Sequence, residues 1–312
     1  MKKSLIALAV AGAMAAPMVA QADATLYGKF EMRLKNVSGS DTGFESDDFR
    51  VGLKGDVDLG LEDTKGIFKY ETEINPNIDV GADTGSSSLT TRDVYMGATG
   101  SWGTALVGQF GNPAEKVIGY IGNLSESASG FAYDLTPDRL GNAAAYVSPS
   151  FGGVTLSAGV AAQIEGDNDF SDADAYVVTA SYEMGGLSLT AGYWDVDSDY
   201  SGAVANYDWA AIGGSYTLGS TTLGLAYQSR DENTGDDNEI ASVMLTHSID
   251  ALTLGANYHS ADDEDVSGFD DEYSLFAIYS LGKMAALDAE FVSADTGSDD
   301  VDVFSVGYTL KF

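Results

Sequence analysis

The chain has 312 residues, with 15 Lys plus Arg against 48 Asp plus Glu, a formal net charge of −33, and no Cys. Such acidity excludes a nucleic-acid footprint, which needs a basic face, and the missing thiols exclude disulfide frameworks, thiolate metal sites and Cys nucleophiles. With 44% hydrophobic residues, 37 Gly, 17 Tyr and only 5 Pro, the composition fits a folded, β-rich chain rather than an acidic disordered tail.

Residues 1–22 read as an address. Met1-Lys2-Lys3 is a short basic start, the stretch from Leu5 to Ala16 is apolar and Ala-rich, and Ala20-Gln21-Ala22 is a small-x-small cleavage pattern. This is a secretory signal peptide with cleavage expected after Ala22, and its apolar core is too short for a membrane helix. The mature chain, 23–312, then carries a net charge of −35, since Lys2 and Lys3 leave with the leader. It is expected to form one domain. No later stretch offers a run of apolar residues long enough for a helical span.

From Ala24 onward the chain alternates with period two. Leu26, Gly28, Phe30, Met32 and Leu34 form one face of the first run, and Tyr27, Lys29, Glu31, Arg33 and Lys35 form the other. Leu187, Leu189, Ala191 and Tyr193 alternate against Ser188, Thr190 and Gly192; Leu252, Leu254, Ala256 and Tyr258 do the same against Thr253, Gly255, Asn257 and His259. The last run places Phe304, Val306, Tyr308, Leu310 and Phe312 on one face. Each run predicts a strand with one apolar and one polar side. Between the runs, short connections (near 62–65, 100–102, 149–151, 185–186, 219–220, 250 and 282–283) alternate with long ones (36–48, 75–91, 111–139, 165–174, 195–207, 231–239, 261–272 and 295–301). Seven short and eight long connections join 16 strands.

A secreted β-sandwich or solenoid could show period-two patterning, but it does not require a regular succession of short and long connections. A transmembrane barrel does: its turns are short on one side and long on the other, its outside is apolar, and closure leaves no strand edge in lipid.

Several segments resemble the Gram-negative general diffusion porins. They are Ala24-Thr25-Leu26-Tyr27-Gly28-Lys29, Phe49-Arg50-Val51-Gly52-Leu53-Lys54-Gly55 followed by Asp58-Leu59-Gly60, Arg92-Asp93-Val94-Tyr95-Met96-Gly97, and Tyr146-Val147-Ser148-Pro149-Ser150-Phe151-Gly152-Gly153. Their order and spacing cover the whole mature chain. The ending on Phe312, with Tyr308 and Leu310 before it, resembles the signal read by the outer-membrane insertion machinery.

The resemblance implies a 16-stranded antiparallel barrel, a homotrimer set among outer-membrane lipid and lipopolysaccharide, and a third external loop folded into the channel. The connection 111–139 is the longest and carries apolar residues such as Val117, Ile118, Tyr120 and Phe131. It suits packing against a wall, and segment 112–138 is expected inside the barrel. The resemblance further implies a constriction where basic wall residues face loop acids. Lys29, Arg50, Arg92 and Arg139 match the wall positions, and Glu115, Glu126, Asp134 and Asp138 are the acids available on the loop. Gln109 stands where many relatives carry a basic residue, which weakens any anion preference.

Charge patterning adds a second expectation. The windows 165–174, 195–208, 231–239, 262–272 and 295–302 hold 25 acids and no Lys or Arg. They form a solvated, repulsive surface, or they attract inorganic cations to the mouth. None has EF-hand spacing, and no metal or cofactor is expected. Asp-Thr-Gly occurs at 41–43, 83–85 and 295–297, in polar loops without the buried strand that paired catalytic carboxylates need. The two histidines, His247 and His259, lie on different strands with no Gly-x-Ser-x-Gly elbow. The expected function is passive, cation-preferring diffusion of small hydrophilic solutes and ions across the bacterial outer membrane, not catalysis. A substrate-selective channel of the same fold and a plugged structural or adhesive barrel are the alternatives.

Overall fold

The computed structural model describes residues 23–75, 88–119, 135, 138–162, 173–197, 200, 206–232, 237–262, 269–297 and 299–312. Sixteen strands follow one another: β1 (Asp23–Val37), β2 (Gly43–Leu61), β3 (Thr64–Asn75), β4 (Ser88–Gly100), β5 (Gly103–Gly111), β6 (Arg139–Val147), β7 (Val154–Ala161), β8 (Ala175–Met184), β9 (Leu187–Val196), β10 (Tyr207–Leu218), β11 (Thr221–Asp231), β12 (Asn238–Ile249), β13 (Leu252–Ala261), β14 (Asp271–Ser280), β15 (Ala285–Asp295) and β16 (Asp300–Lys311). Each pairs antiparallel with its sequence neighbours, and β1 pairs with β16 to close the barrel. One helical turn, α1 (Glu115–Ile118), interrupts the connection between β5 and β6.

The alternation read from the sequence becomes an inside and an outside. Leu26, Val107, Leu156, Val178, Leu189, Ile212, Leu225, Leu245, Leu275 and Val306 are exposed on the outer face, a band that belongs in hydrocarbon and not in water. Aromatic residues mark both edges of the band. Tyr176, Tyr193, Tyr227, Tyr258 and Tyr273 lie toward the long connections, and Trp102, Tyr146, Tyr216, Tyr279 and Phe312 toward the short turns. Such rings suit the boundary between apolar and polar layers.

Closure is specified by side-chain fit as well as by register. Phe312 exchanges backbone hydrogen bonds with Gly28 at 3.1 and 3.2 Å. A Cβ on Gly28 would stand 2.4 Å from the Phe312 ring, so the glycine is the seat of the terminal aromatic. That ring also packs at 5.5 Å from Phe30, which stacks on Phe49 at 5.0 Å.

Most connections fall where the residues predict them. The first long one does not: expected over 36–48, it shrinks to 38–42, because β1 runs to Val37 and β2 begins at Gly43. Ladder bonds come from the backbone, so a polar stretch extends a hairpin as readily as an apolar one. Lys35 pairs with Glu45 across this extension at 3.3 Å.

The interior is divided. On the β5–β12 side an apolar cluster fills the lumen, with Phe110, Leu140, Val177, Trp194, Trp209 and Ile240 fully or almost fully buried. Val117 and Ile118 of α1 and Leu135 join it, so the described parts of the β5–β6 connection lie inside the barrel. The β1–β4 side is lined instead by charged residues.

Candidate functional site

β1–β4 and β6 bring the basic residues together by register. Lys29 lies directly opposite Arg50, and Arg50 opposite Glu73. Three irregularities crowd this wall. β2 carries one extra residue between the partners of Glu31 and Met32, β4 one between the partners of Glu71 and Thr72, and the β5–β6 ladder shifts between Gly108 and Phe110. A bulge lets neighbouring residues share a face that strict alternation would split. Asp47 and Asp48 therefore both reach inward, as do Arg92 and Asp93.

The charges form two alternating chains. In the first, Asp288 contacts Arg33 at 2.6 Å, Arg33 contacts Glu31 and also Asp47 at 2.7 Å, Lys29 bridges Glu31 and Asp48 at 2.8 and 2.9 Å, and Asp48 reaches Arg50. In the second, Glu73 binds Arg92, Arg92 contacts Glu71 at 3.3 Å, and Lys69 joins Glu71 to Asp93. Arg139 then links Asp93 at 3.5 Å to Asp138 at 3.6 Å. Six cations meet eight carboxylates, an excess of two negative charges. Arg33 is sealed, with 1% of its side chain exposed, whereas Lys29 and Arg50 each keep 32% open to the lumen. Gly307 leaves the space that the Arg33–Asp288 pair occupies, since a Cβ there would meet Asp288 at 2.6 Å.

The inserted segment is seated opposite. Asn112 opens it: its side-chain oxygen accepts from the Ala114 amide at 2.9 Å, and its own amide donates to the Asp138 carbonyl at 2.8 Å, closing the base of the loop. Val117 lies against β9 and β10, where a Cβ on Gly213 would stand 2.0 Å from the Val117 carbonyl oxygen and one on Gly192 3.0 Å from its side chain. Lys116 reaches Glu183 on β8 at 3.4 Å. On the return, the buried Gln228 carbonyl oxygen accepts from the Leu135 amide and from the Trp209 indole, both at 3.1 Å.

Lys29, Arg50, Arg92 and Arg139 thus share one wall. Asp138 is beside Arg139 at the loop base, and Glu115 opens α1 with its carboxylate near Gly111, the register partner of Arg139; Glu126 and Asp134 lie outside the described residues. Gln109 has a task of its own: its carboxamide donates to the Thr91 and Arg92 carbonyls at 3.0 and 2.7 Å, tying down the β4 bulge. Tyr308, Leu310 and Phe312 face outward. Sequence reasoning passed over Glu31, Asp48, Glu71, Glu73 and Asp93 as wall partners. A signal existed, because Lys29-Glu31-Arg33 and Lys69-Glu71-Glu73 place opposite charges two residues apart on one strand face.

The arrangement is a passage lined by fixed charges and flanked by a packed interior segment. A family model described as Gram-negative porin matches residues 7–299. The chain belongs to the Gram-negative porins. This porin is 27% identical over 314 residues to outer membrane porin protein 32 of Delftia acidovorans, spanning 92% of this chain and 88% of the relative. Its fold matches the anion-selective porin from Comamonas acidovorans with a TM-score of 0.73 at 20% identity, over 93% of this chain and all of that one. It also matches OmpF of Salmonella typhi, with a TM-score of 0.73 at 17% identity over 93% and 97% of the two chains. OmpT of Vibrio cholerae, solved in a trimer form, gives 0.67 at 17% over 93% and 99%. The porin is therefore a passive channel of the Gram-negative outer membrane and not an enzyme. Short turns of such barrels face the periplasm and long loops the exterior.

Proposed function

We propose that this porin is a homotrimeric general diffusion channel for small hydrophilic solutes and ions, and that it prefers cations. The observation that carries the selectivity is the alternating wall. Lys29, Arg50, Arg92 and Arg139 have carboxylate partners on the same sheet, and those carboxylates outnumber the cations of their chains. A permeating anion meets no unopposed positive wall there. The acidic long connections add an attractive field for cations at the outer mouth, one that salt screens over about 8–10 Å at physiological ionic strength. Anion selectivity is a property named for the Comamonas relative; the in-wall carboxylates argue for the opposite sign here. The trimer form solved for the Vibrio relative supports the trimer.

On this reading Lys29, Arg50, Arg92, Arg139, Glu115 and Asp138 border the constriction. The leader is removed after Ala22, and Tyr308, Leu310 and Phe312 serve as the insertion signal. The zero-current potential across a KCl gradient tests the selectivity. K⁺ is expected to be more permeant than Cl⁻, with a preference that weakens as salt rises, and Arg92→Glu should strengthen it. A greater Cl⁻ permeability in dilute salt would refute the electrostatic reading while leaving the channel intact.

A further inference from the structure

Among the described residues, three cations have no carboxylate at ion-pair distance: Lys54, Lys283 and Lys311. Lys54 lies over the Tyr27 ring, with its Nζ 5.0 Å from the ring centre. The other two edge a recess in the lumen wall below the Arg33–Asp288 pair. The recess spans β14, β15, β16 and β1 at the periplasmic end and has a volume of about 330 Å³. Ser280, Ala286 and Thr309 leave it hollow, because their side chains are small where neighbouring inward positions carry larger ones. Lys29, Arg33, Lys283 and Lys311 line it against Glu31 and Asp288. Both of those carboxylates are already bound to Arg33 or Lys29.

The register sharpens the point. Lys311 lies directly opposite Lys29 across the β1–β16 seam, and like charges so placed repel. Lys29 is relieved by Glu31 and Asp48, while Lys311 is not. A ligand with two negative charges would supply the missing counterion, and the Ser280 and Thr309 hydroxyls could donate to it.

We propose that this recess is a binding site for small dianions on the periplasmic side of the channel, formed by Lys283 and Lys311 with Ser280 and Thr309. It takes compact phosphate-like or dicarboxylate anions. The site is local, and the pore as a whole can still prefer cations.

The test uses the purified channel inserted in one orientation in a planar bilayer, with inorganic phosphate as probe at constant ionic strength and at a pH where it is a dianion. Phosphate added to the periplasmic chamber should lower the current at lower concentration than phosphate added outside. Lys283→Gln with Lys311→Gln should raise the half-blocking concentration about three- to tenfold, the range expected for losing two solvent-exposed charge contacts. Ala286→Phe keeps both lysines but fills the hollow and should weaken the block as well. Lys54→Gln should leave it unchanged. Succinate in place of phosphate distinguishes the two anion types: block by succinate alone assigns the site to dicarboxylates. Block that survives both the double variant and Ala286→Phe, block equal from the two sides, or no block by either anion would overturn the proposal. None of these results bears on the K⁺ to Cl⁻ preference, which the zero-current potential reads separately.

Discussion

Gly213→Ala is a probe of what holds the inserted segment. The wild-type contact leaves no room for a methyl group: its Cβ would sit 2.0 Å from the Val117 carbonyl oxygen, a backbone atom that cannot swing aside. Reaching ordinary contact at 3.4 Å requires α1 to retreat by about 1.4 Å. The strand itself is held by full ladders to β9 and β11, so the turn moves and not the wall. Retreat carries α1 toward the charged wall of β1–β4, and the lumen narrows. Overpacking of this kind costs about 1–3 kcal/mol, too little to unfold a closed barrel of sixteen strands. The expected result is a lower single-channel conductance with unchanged heat-modifiable mobility of the folded band in gel electrophoresis. A matching pair extends the test. Gly192→Ala meets the Val117 side chain at 3.0 Å, so Val117→Ala should restore conductance in Gly192→Ala but not in Gly213→Ala. Wild-type conductance in a folded Gly213→Ala channel would show that α1 does not govern the bore.

Arg33→Met should lower the heat-modification temperature of the barrel, because it leaves Glu31, Asp47 and Asp288 without their shared cation; breaking a buried pair typically costs about 3–5 kcal/mol. A stability equal to wild type would mean that water reaches this seam. Gln228→Leu removes the acceptor for the Leu135 amide and the Trp209 indole, at about 1–3 kcal/mol for each donor left unsatisfied, and should increase open-channel current noise as the returning segment loosens. Quiet current in that variant would place the anchor elsewhere. Deleting Phe312 removes the ring seated on Gly28 together with two closing hydrogen bonds. It should reduce the amount of channel in the outer membrane more than it lowers the stability of the channel that does assemble, and normal membrane levels would refute an insertion role.

Period two and turn spacing were enough to read sixteen strands, because inward and outward positions differ in chemistry over most of the chain. The pattern failed first at Glu45 to Asp48, where polar residues join the ladder and a bulge in β2 turns both Asp47 and Asp48 inward. It failed again at Arg92, which shares its face with Asp93 only because β4 bulges, and a bulge leaves no mark in residue parity. Four cations of the charged wall, Lys29, Arg50, Arg92 and Arg139, were legible by residue type and local motif; Lys69 and the counterions were not. The pairing of Lys69 with Asp93 or Arg33 with Asp288 joins different strands and depends on register. The mixed interior was harder still. Trp194 and Trp209 sit at inward positions that ought to be wet, and they are dry within the apolar cluster that Val117, Ile118 and Leu135 join.

The placement of the counterions separates two properties that a channel could easily confound. In a passage whose wall cations were balanced by acids on the inserted segment, any shift of that segment would change the bore and the ion preference together. Here Glu31, Asp48, Glu71, Glu73 and Asp93 are fixed in the same hydrogen-bonded sheet as the cations they neutralise. Substitutions of the apolar residues of α1 and of its seat can then resize the channel while these counterions stay in place, and single changes on β1–β4 can re-tune the ion preference without moving α1. Selection for a wider channel and selection for a different ion act on separate stretches of sequence.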